Sequence, residues 1–355
     1  MSSSTISTTL PSSDNNSTSL NPMTTGVKIA AYLVVLIFSL IGNSLLIAIV
    51  YKNANKRMRT PSNYFIVNMA LADILVVAYA VPQNIVLTVY NFRWLVGGVA
   101  GQILCRFSFF VTQLPILVST GSLLIVALDR YFLVFYPMKR IITIQLARRI
   151  IITVWSFTAV FTAPLFALIA VVEVPPGILY CAIEFKKLGL AVSYFLFCYT
   201  TIIAIPLVII IALYVAIGFK ISRAAPPGNQ LPSTQERRER ITHKVLAMLI
   251  AIVAALILFR LPLVIGLIVC FSRFHYLCGK IDLMFITWFL TLTNSTLNPW
   301  IYFIFNDKFR HGARLILEKF FPCCFKGVNG VEAIQNSTHQ MVGLPGEHSE
   351  TVHQR

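Results

Sequence analysis

Seven apolar runs, each long enough to cross a bilayer as a helix, leave this chain few ways to fold. They lie near Val27–Tyr51, Pro61–Tyr90, Gln102–Phe135, Ala147–Val172, Leu190–Ile221, Lys244–Phe271 and Asp282–Phe305. A spanning helix takes about 20 apolar residues. In hydrocarbon a backbone has to satisfy its own hydrogen bonds, which a helix does. The expected fold class is therefore all-α, a seven-transmembrane helix bundle. Of the 355 residues 57% are hydrophobic and 12% charged, more apolar surface than one soluble core of this size can hide. The net charge of +16 sits in short segments between the runs. That is membrane topology rather than a nucleic-acid-binding face.

The basic segments alternate. Lys52, Lys56, Arg57 and Arg59 follow the first run; Lys139, Arg140, Arg148 and Arg149 the third; Lys220, Arg223, Arg237, Arg238 and Arg240 the fifth; Lys308, Arg310, Arg314 and Lys319 the seventh. Positive-inside bias puts the N-terminus outside and the C-terminus inside. Residues 1–26 lack Lys and Arg and are rich in Ser, Thr and Asn, a disordered extracellular tail. With no signal-peptide pattern there, the first run is expected to act as an uncleaved signal. Asn15 and Asn16 are glycosylation acceptors on the outside. Residues 27–305 form the bundle. Residues 306–321 carry Phe309, Ile316 and Phe320 on one face and bases on others, a short amphipathic juxtamembrane helix on the inner leaflet. Cys323 and Cys324 follow as palmitoylation candidates, and 322–355 is a disordered cytoplasmic tail.

The third run opens at Cys105 and ends in Asp129-Arg130-Tyr131. Arginine is costly in hydrocarbon, so Arg130 belongs at the membrane exit or against protein. Asp129 beside it is expected to hold the guanidinium by a charge-assisted bond. Other polar residues inside the runs each need a partner: Gly42-Asn43, Asn68, Leu71-Ala72-Asp73, Trp155, Tyr214 and Asn294-Ser295. Asn298-Pro299-Trp300-Ile301-Tyr302 closes the series in the seventh run, and Pro206 and Pro262 punctuate the fifth and sixth. Asn294 and Asn298 share a helix face. With Asn43, Asp73, Ser119 and Ser295 they can form one polar cluster at mid-membrane.

This ordered series closely resembles the class A (rhodopsin-like) G-protein-coupled receptors over all seven runs and the inner-leaflet helix. The resemblance implies a Cys105–Cys181 disulfide stapling the second outer loop to the bundle. It implies a switch of Asp129, Arg130, Tyr131, Tyr214, Asn298, Pro299 and Tyr302, with Pro137 and Met138 contacting a heterotrimeric G protein. Arrestin and receptor kinase are further implied partners, alongside membrane lipid. No catalytic constellation or cofactor is implied, so the chain is expected not to be an enzyme. An allosteric sodium ion on Asp73 is implied, against the alternative of a neutral, protonated Asp73 in a hydrogen-bond net. Departures are informative. Phe259-Arg260-Leu261-Pro262 stands where the family usually has Cys-Trp-x-Pro, and Leu256 replaces an aromatic one turn earlier. Arg260 then either meets an anionic ligand, pairs with Asp73 in place of sodium, or bonds carbonyls and amides of the seventh run; pairing within the protein is favoured. Pro115 replaces a small polar residue near the sodium site. Thr242 replaces an acid that would pair with Arg130, leaving Asp129 as the main lock.

Thr112-Gln113-Leu114 offers no acid for an ammonium ligand. The seventh run has no lysine for retinal, with Leu292 at the matching place. Pro82, the mixed charges of the second outer loop and the N-terminal tail resemble neuropeptide receptors, which makes an extracellular peptide the expected ligand. A small anionic or lipid ligand is the alternative. Gln83, Asn84, Thr112, Gln113, Arg260 and Trp288 are the candidate pocket residues, each set against ordinary helix packing. Cys270 and Cys278 flank the third outer loop and can form a second bridge. A multi-span transporter would want internal repeats and charges spread over several runs, and the chain has neither. A poorly coupling decoy receptor is the other alternative.

Overall fold

A computed structural model of the chain describes residues 22–52, 58–136, 138–139, 141–174, 177–223, 247–248, 250–266 and 281–320. In chain order these form α1 (Pro22–Lys52), α2 (Pro61–Val89), α3 (Gly98–Phe135), α4 (Ile144–Thr162), α5 (Leu165–Leu168), β1 (Ile169–Glu173) and β2 (Leu179–Ile183). Then follow α6 (Leu188–Tyr199), α7 (Ile205–Ser222), α8 (Ile250–Gly266), α9 (Ile281–Phe305) and α10 (Asp307–Phe320). Among the described residues, five spans are long and apolar enough to cross a bilayer by composition alone, and α8 is a shorter apolar helix. The seventh, α9, is not among the five, because Thr287, Thr291, Asn294, Ser295, Thr296 and Asn298 dilute it; all six are buried within the bundle.

Local chemistry sets the ends. Thr60 caps α2 by accepting from the Asn63 backbone N–H, and Pro61 fills the first helical position, where no N–H is required. Thr143 caps α4 in the same way through Leu146. The fourth span was expected to run to Val172. Its helix instead ends at Thr162, Pro164 opens one further turn, and Ile169–Glu173 becomes a strand. The third span starts earlier than expected, at Gly98, whose φ of +65° suits glycine. Gly101 follows because a β-carbon there would lie 2.0 Å from the Val96 carbonyl oxygen. The glycines that lengthen the sequence between Trp94 and Cys105 therefore build helix rather than loop.

In the fifth span, α6 passes into α7 through a wide π-type turn at Thr200–Ala204. It precedes Pro206, which has no N–H to continue the ladder. α1 lies on α2 and α9, α2 on α3, and α3 on α4 and α7. Gly42 lets α1 approach α9: a β-carbon there would meet Pro299 Cγ at 2.8 Å. Three apolar clusters fill the bundle. The largest joins the Arg130 half to Phe309 and Ala313 of α10. A second packs Cys105, Leu165, Ile169 and Phe195 at the opposite end. The third joins Tyr32, Val77, Val81 and Leu292.

Candidate functional site

At one end, β1 and β2 form an antiparallel hairpin with Val171 opposite Cys181. Cys105 and Cys181 are joined by a disulfide, as the resemblance implied. Three hydrogen bonds reinforce it. Gln102 Nε2 donates to the Val171 carbonyl at 3.0 Å while its Oε1 accepts from Val171 N–H at 3.1 Å. Arg106 Nε donates to the Ile169 carbonyl at 3.1 Å. Trp94 N–H donates to Leu179 O at 2.7 Å, tying the preceding loop to the same hairpin. Gln102 and Arg106 are four apart and so share a helix face. Sequence reasoning did not single them out, because their role depends on where the hairpin lands.

Beneath the hairpin the candidate pocket residues do not behave alike. Asn84 is turned back onto its own helix, donating to Ala80 O at 2.7 Å. Thr112 is buried, and Gln83 and Trp288 are half-buried near the hairpin end. Gln113 donates to the Tyr199 hydroxyl at 3.3 Å. Tyr199 in turn lies within electrostatic reach of Arg260. Tyr199 was missed from the sequence; its only signal is a tyrosine two turns before Pro206 in an otherwise apolar run.

At mid-bundle the expected polar cluster forms. Asn298 Nδ2 donates to Asp73 Oδ2 at 2.8 Å. The Ser119 and Ser295 hydroxyls and Arg260 lie within electrostatic reach of this carboxylate. Asn43 Nδ2 donates to Ser39 O, Ser39 Oγ and Ser295 O at 3.0, 3.1 and 3.3 Å, tying α1 to α9. Asn294 lines a cavity of about 10 Å³ together with Ser119, Thr120, Arg260 and Asn298, on the scale of one water molecule. Arg260 is only 3% exposed.

A second polar junction joins Asn68 and Trp155, both expected from the sequence, to Ser122, which sequence reasoning did not single out. Trp155 Nε1 of α4 donates to Asn68 Oδ1 at 2.8 Å, and Asn68 Nδ2 donates to Ser122 Oγ of α3 at 2.8 Å. Ser122 Oγ donates onward to Val118 O at 2.8 Å. Three helices meet on one buried asparagine.

At the far end the expected Asp129–Arg130 clasp is not formed. Adjacent helix residues point roughly 100° apart and do not face each other. The Asp129 carboxylate accepts instead from the Ser62 hydroxyl of α2. Between described residues, the ion pairs are Glu184–Lys187, Asp307–Arg310 and Arg314–Glu318, none of them involving Arg130 or Arg260. Among the described residues, Arg130 Nε and the Tyr214 and Tyr302 hydroxyls are buried without hydrogen-bond partners. Both tyrosines lie within electrostatic reach of Arg130. Arg130, Asp129 and Ser62 line a cavity of about 870 Å³ with Ile142, Asn306 and Phe309. Tyr131 stacks on Phe135 at 4.3 Å, and Met138 is exposed beside them. Pro299 is buried against α1. Pro137, Thr242, Asn15, Asn16, Cys270, Cys278, Cys323 and Cys324 lie outside the described residues.

Seven spans around a polar axis, with a disulfide-stapled hairpin over one mouth and Arg130 lining a cavity at the other, define a heptahelical membrane receptor. The chain belongs to the 7 transmembrane receptor (rhodopsin family), whose sequence model matches residues 42–302. It is 27% identical to the neuropeptide FF receptor 2 of Mus musculus over 347 residues, covering 90% of this chain and 80% of that protein. It is 30% identical to the substance-P receptor of Aquarana catesbeiana over 292 residues, 79% and 68% of the two chains. Against the RYamide receptor of Drosophila melanogaster the figures are 27% over 310 residues, 84% and 65%.

Proposed function

We propose that this receptor binds an extracellular neuropeptide at the hairpin end and activates a heterotrimeric G protein at the Arg130 end. The observation that carries the reading is that relatives matching most of the chain are named as receptors for peptides. Features of the chain agree. The pocket region offers neither an acid for an amine nor a lysine for retinal.

The bundle holds two arrangements, and an agonist binds one better. Opening of α8, hinged at Pro262, would widen the cavity lined by Arg130, Asp129 and Asn306. The free hydrogen-bonding groups of Arg130, Tyr214 and Tyr302 are then available to a partner or bridging water. The receptor resides in the plasma membrane with the N-terminus outside. Asn15 and Asn16 carry glycans, and Cys323 and Cys324 carry acyl chains next to α10, whose Leu315 and Phe320 are exposed. Arrestin and receptor kinase dock at the Arg130 end once agonist has bound.

The test is a peptide-library screen on cells expressing the full chain, with neuropeptide FF, substance P, substance K and RYamide as first probes. Calcium and cAMP are read, then nucleotide exchange on purified G proteins. A saturable peptide response lost in Arg130→Ala at equal surface expression supports the reading. Responses confined to small acids or lipids across the library would overturn the peptide assignment.

A further inference from the structure

The resemblance implies a sodium ion on Asp73, and the residues around Asp73 do not fit one. A hard monovalent cation needs oxygen lone pairs converging on a void. Here the carboxylate already accepts from the Asn298 amide N–H at 2.8 Å, with the Ser119 and Ser295 hydroxyls close by. The void beside them is about 10 Å³, and Arg260 forms part of its wall. Arg260 is 3% exposed, and among the described residues its Nε and Nη1 have no hydrogen-bond partner. A guanidinium offers donors only, so a cation placed beside it would meet N–H groups and a like charge rather than lone pairs. Pro115, one turn before Ser119 on the same face of α3, has no side-chain ligand atom to add.

Charge leads to the same conclusion. Within the described spans α1 to α8, Asp73 and Asp129 are the acids, and Asp129 is engaged by Ser62 at the far end. The single negative charge at mid-bundle is thus matched by one resident positive charge. A second cation about 6 Å from the guanidinium, at an effective dielectric of about 20, would bind about a hundredfold more weakly than in an arginine-free core.

We propose that Arg260 is the built-in cation of this receptor: it neutralises Asp73 permanently, excludes sodium from the core, and leaves the resting-to-active balance independent of sodium. A water in the small cavity joins the free Arg260 N–H groups to Asn294 and Asn298.

The test needs no ligand and no G protein, so its failure is separable from failure of the peptide reading. The purified full chain in nanodiscs is thermally unfolded in sodium chloride and in choline chloride at equal ionic strength. The wild type and Arg260→Lys are expected to unfold at the same temperature in both salts. Arg260→Leu is expected to become more stable in sodium, and Arg260→Leu combined with Asp73→Asn to lose that gain. Stabilisation of the wild type by sodium, or a sodium-indifferent Arg260→Leu, overturns the proposal. Should Arg260→Leu fail to fold, sodium-23 linewidths of the wild type decide. Broadening that disappears in Asp73→Asn refutes the idea, and equal linewidths support it.

Discussion

Replacing Trp155 by Phe removes one donor from the junction of α2, α3 and α4 and leaves Asn68 Oδ1 without its partner. The bond at stake is 2.8 Å long, and Asn68 is 6% exposed. In water-soluble proteins a buried acceptor orphaned in this way costs about 1–3 kcal/mol. In a bilayer the unfolded reference helices find other partners, and interhelical hydrogen bonds average about 0.6 kcal/mol with a maximum of about 1.7. Because Asn68 also holds Ser122 at 2.8 Å, the junction is stiff and its acceptor has little freedom to turn elsewhere. We therefore expect a value in the upper half of that range.

Trp155→Phe also trims packing, so the single variant overstates the bond. The cycle Trp155→Phe, Asn68→Ala and the double variant isolates it. Equilibrium unfolding in mixed micelles should give a coupling of about 1.2–1.7 kcal/mol, a factor of roughly 8–18 in the equilibrium constant. Ser122→Ala should couple to Asn68→Ala with the same sign. Zero coupling between Trp155 and Asn68, with each single variant still destabilising, would mean that the tryptophan acts by packing alone, and the three-helix junction would have to be abandoned.

Three further outcomes are expected. Cys105→Ser removes a cross-link of sequence separation 76; chain entropy puts the loss at roughly 4–5 kcal/mol, read as reduced thermal stability and surface expression, with rapid hydrogen exchange at 169–183. Ser62→Ala frees the Asp129 carboxylate of a hydrogen bond to a charged group, worth about 1.5–3 kcal/mol. Basal nucleotide exchange should rise and Ser62→Thr should restore it; unchanged basal exchange in Ser62→Ala would exclude this contact from the resting state. Glu184 is held below its ordinary carboxyl value chiefly by the hydrogen bond from Lys187, at 2.7 Å. A depressed acid contributes stability above its unfolded value and loses it as pH falls through the folded one. Glu184→Gln should therefore lower stability slightly at neutral pH, where the contribution is fully present, and converge with the wild type as pH falls below the ordinary glutamate range, so that the acid limb is flatter.

The spans were legible because length and charge asymmetry are one-dimensional signals, and the disulfide because the family resemblance implied the pairing. What failed depended on direction or register. Ile169–Glu173 was read as the end of a span because a short apolar run looks alike as helix or buried strand; Pro164, just before it, was the usable clue. Asp129 and Arg130 were paired because they adjoin in sequence, but a helix aims neighbours apart, and the nearer partner was Ser62, 67 positions away. Gln102 carried no motif at all. Its clamp on Val171 exists only because the hairpin register sets that peptide unit against α3.

In a bilayer the apolar residues carry little directional information, because lipid accepts them as readily as the bundle does. On α1 the large side chains Val34, Ile37, Phe38 and Ile41 are exposed, whereas Ser39, Gly42 and Asn43 are buried. Large apolar side chains such as Tyr32, Leu46 and Ile49 are buried on α1 as well, so what distinguishes the inward face is its polar and small residues rather than its apolar ones. The same rule sharpens the reading of Arg260. A residue type that costs so much in lipid can only be kept on the inward face, and there it has to be answered by fixed groups. Asp73 on one side and Tyr199, bonded to Gln113, on the other lie within electrostatic reach to give that answer. Polar groups thus follow one another from the region below the hairpin down to Asn298. On the proposal made above, a peptide that displaces Gln113 or Tyr199 would alter the field at Arg260 and Asp73 with no sodium ion in between.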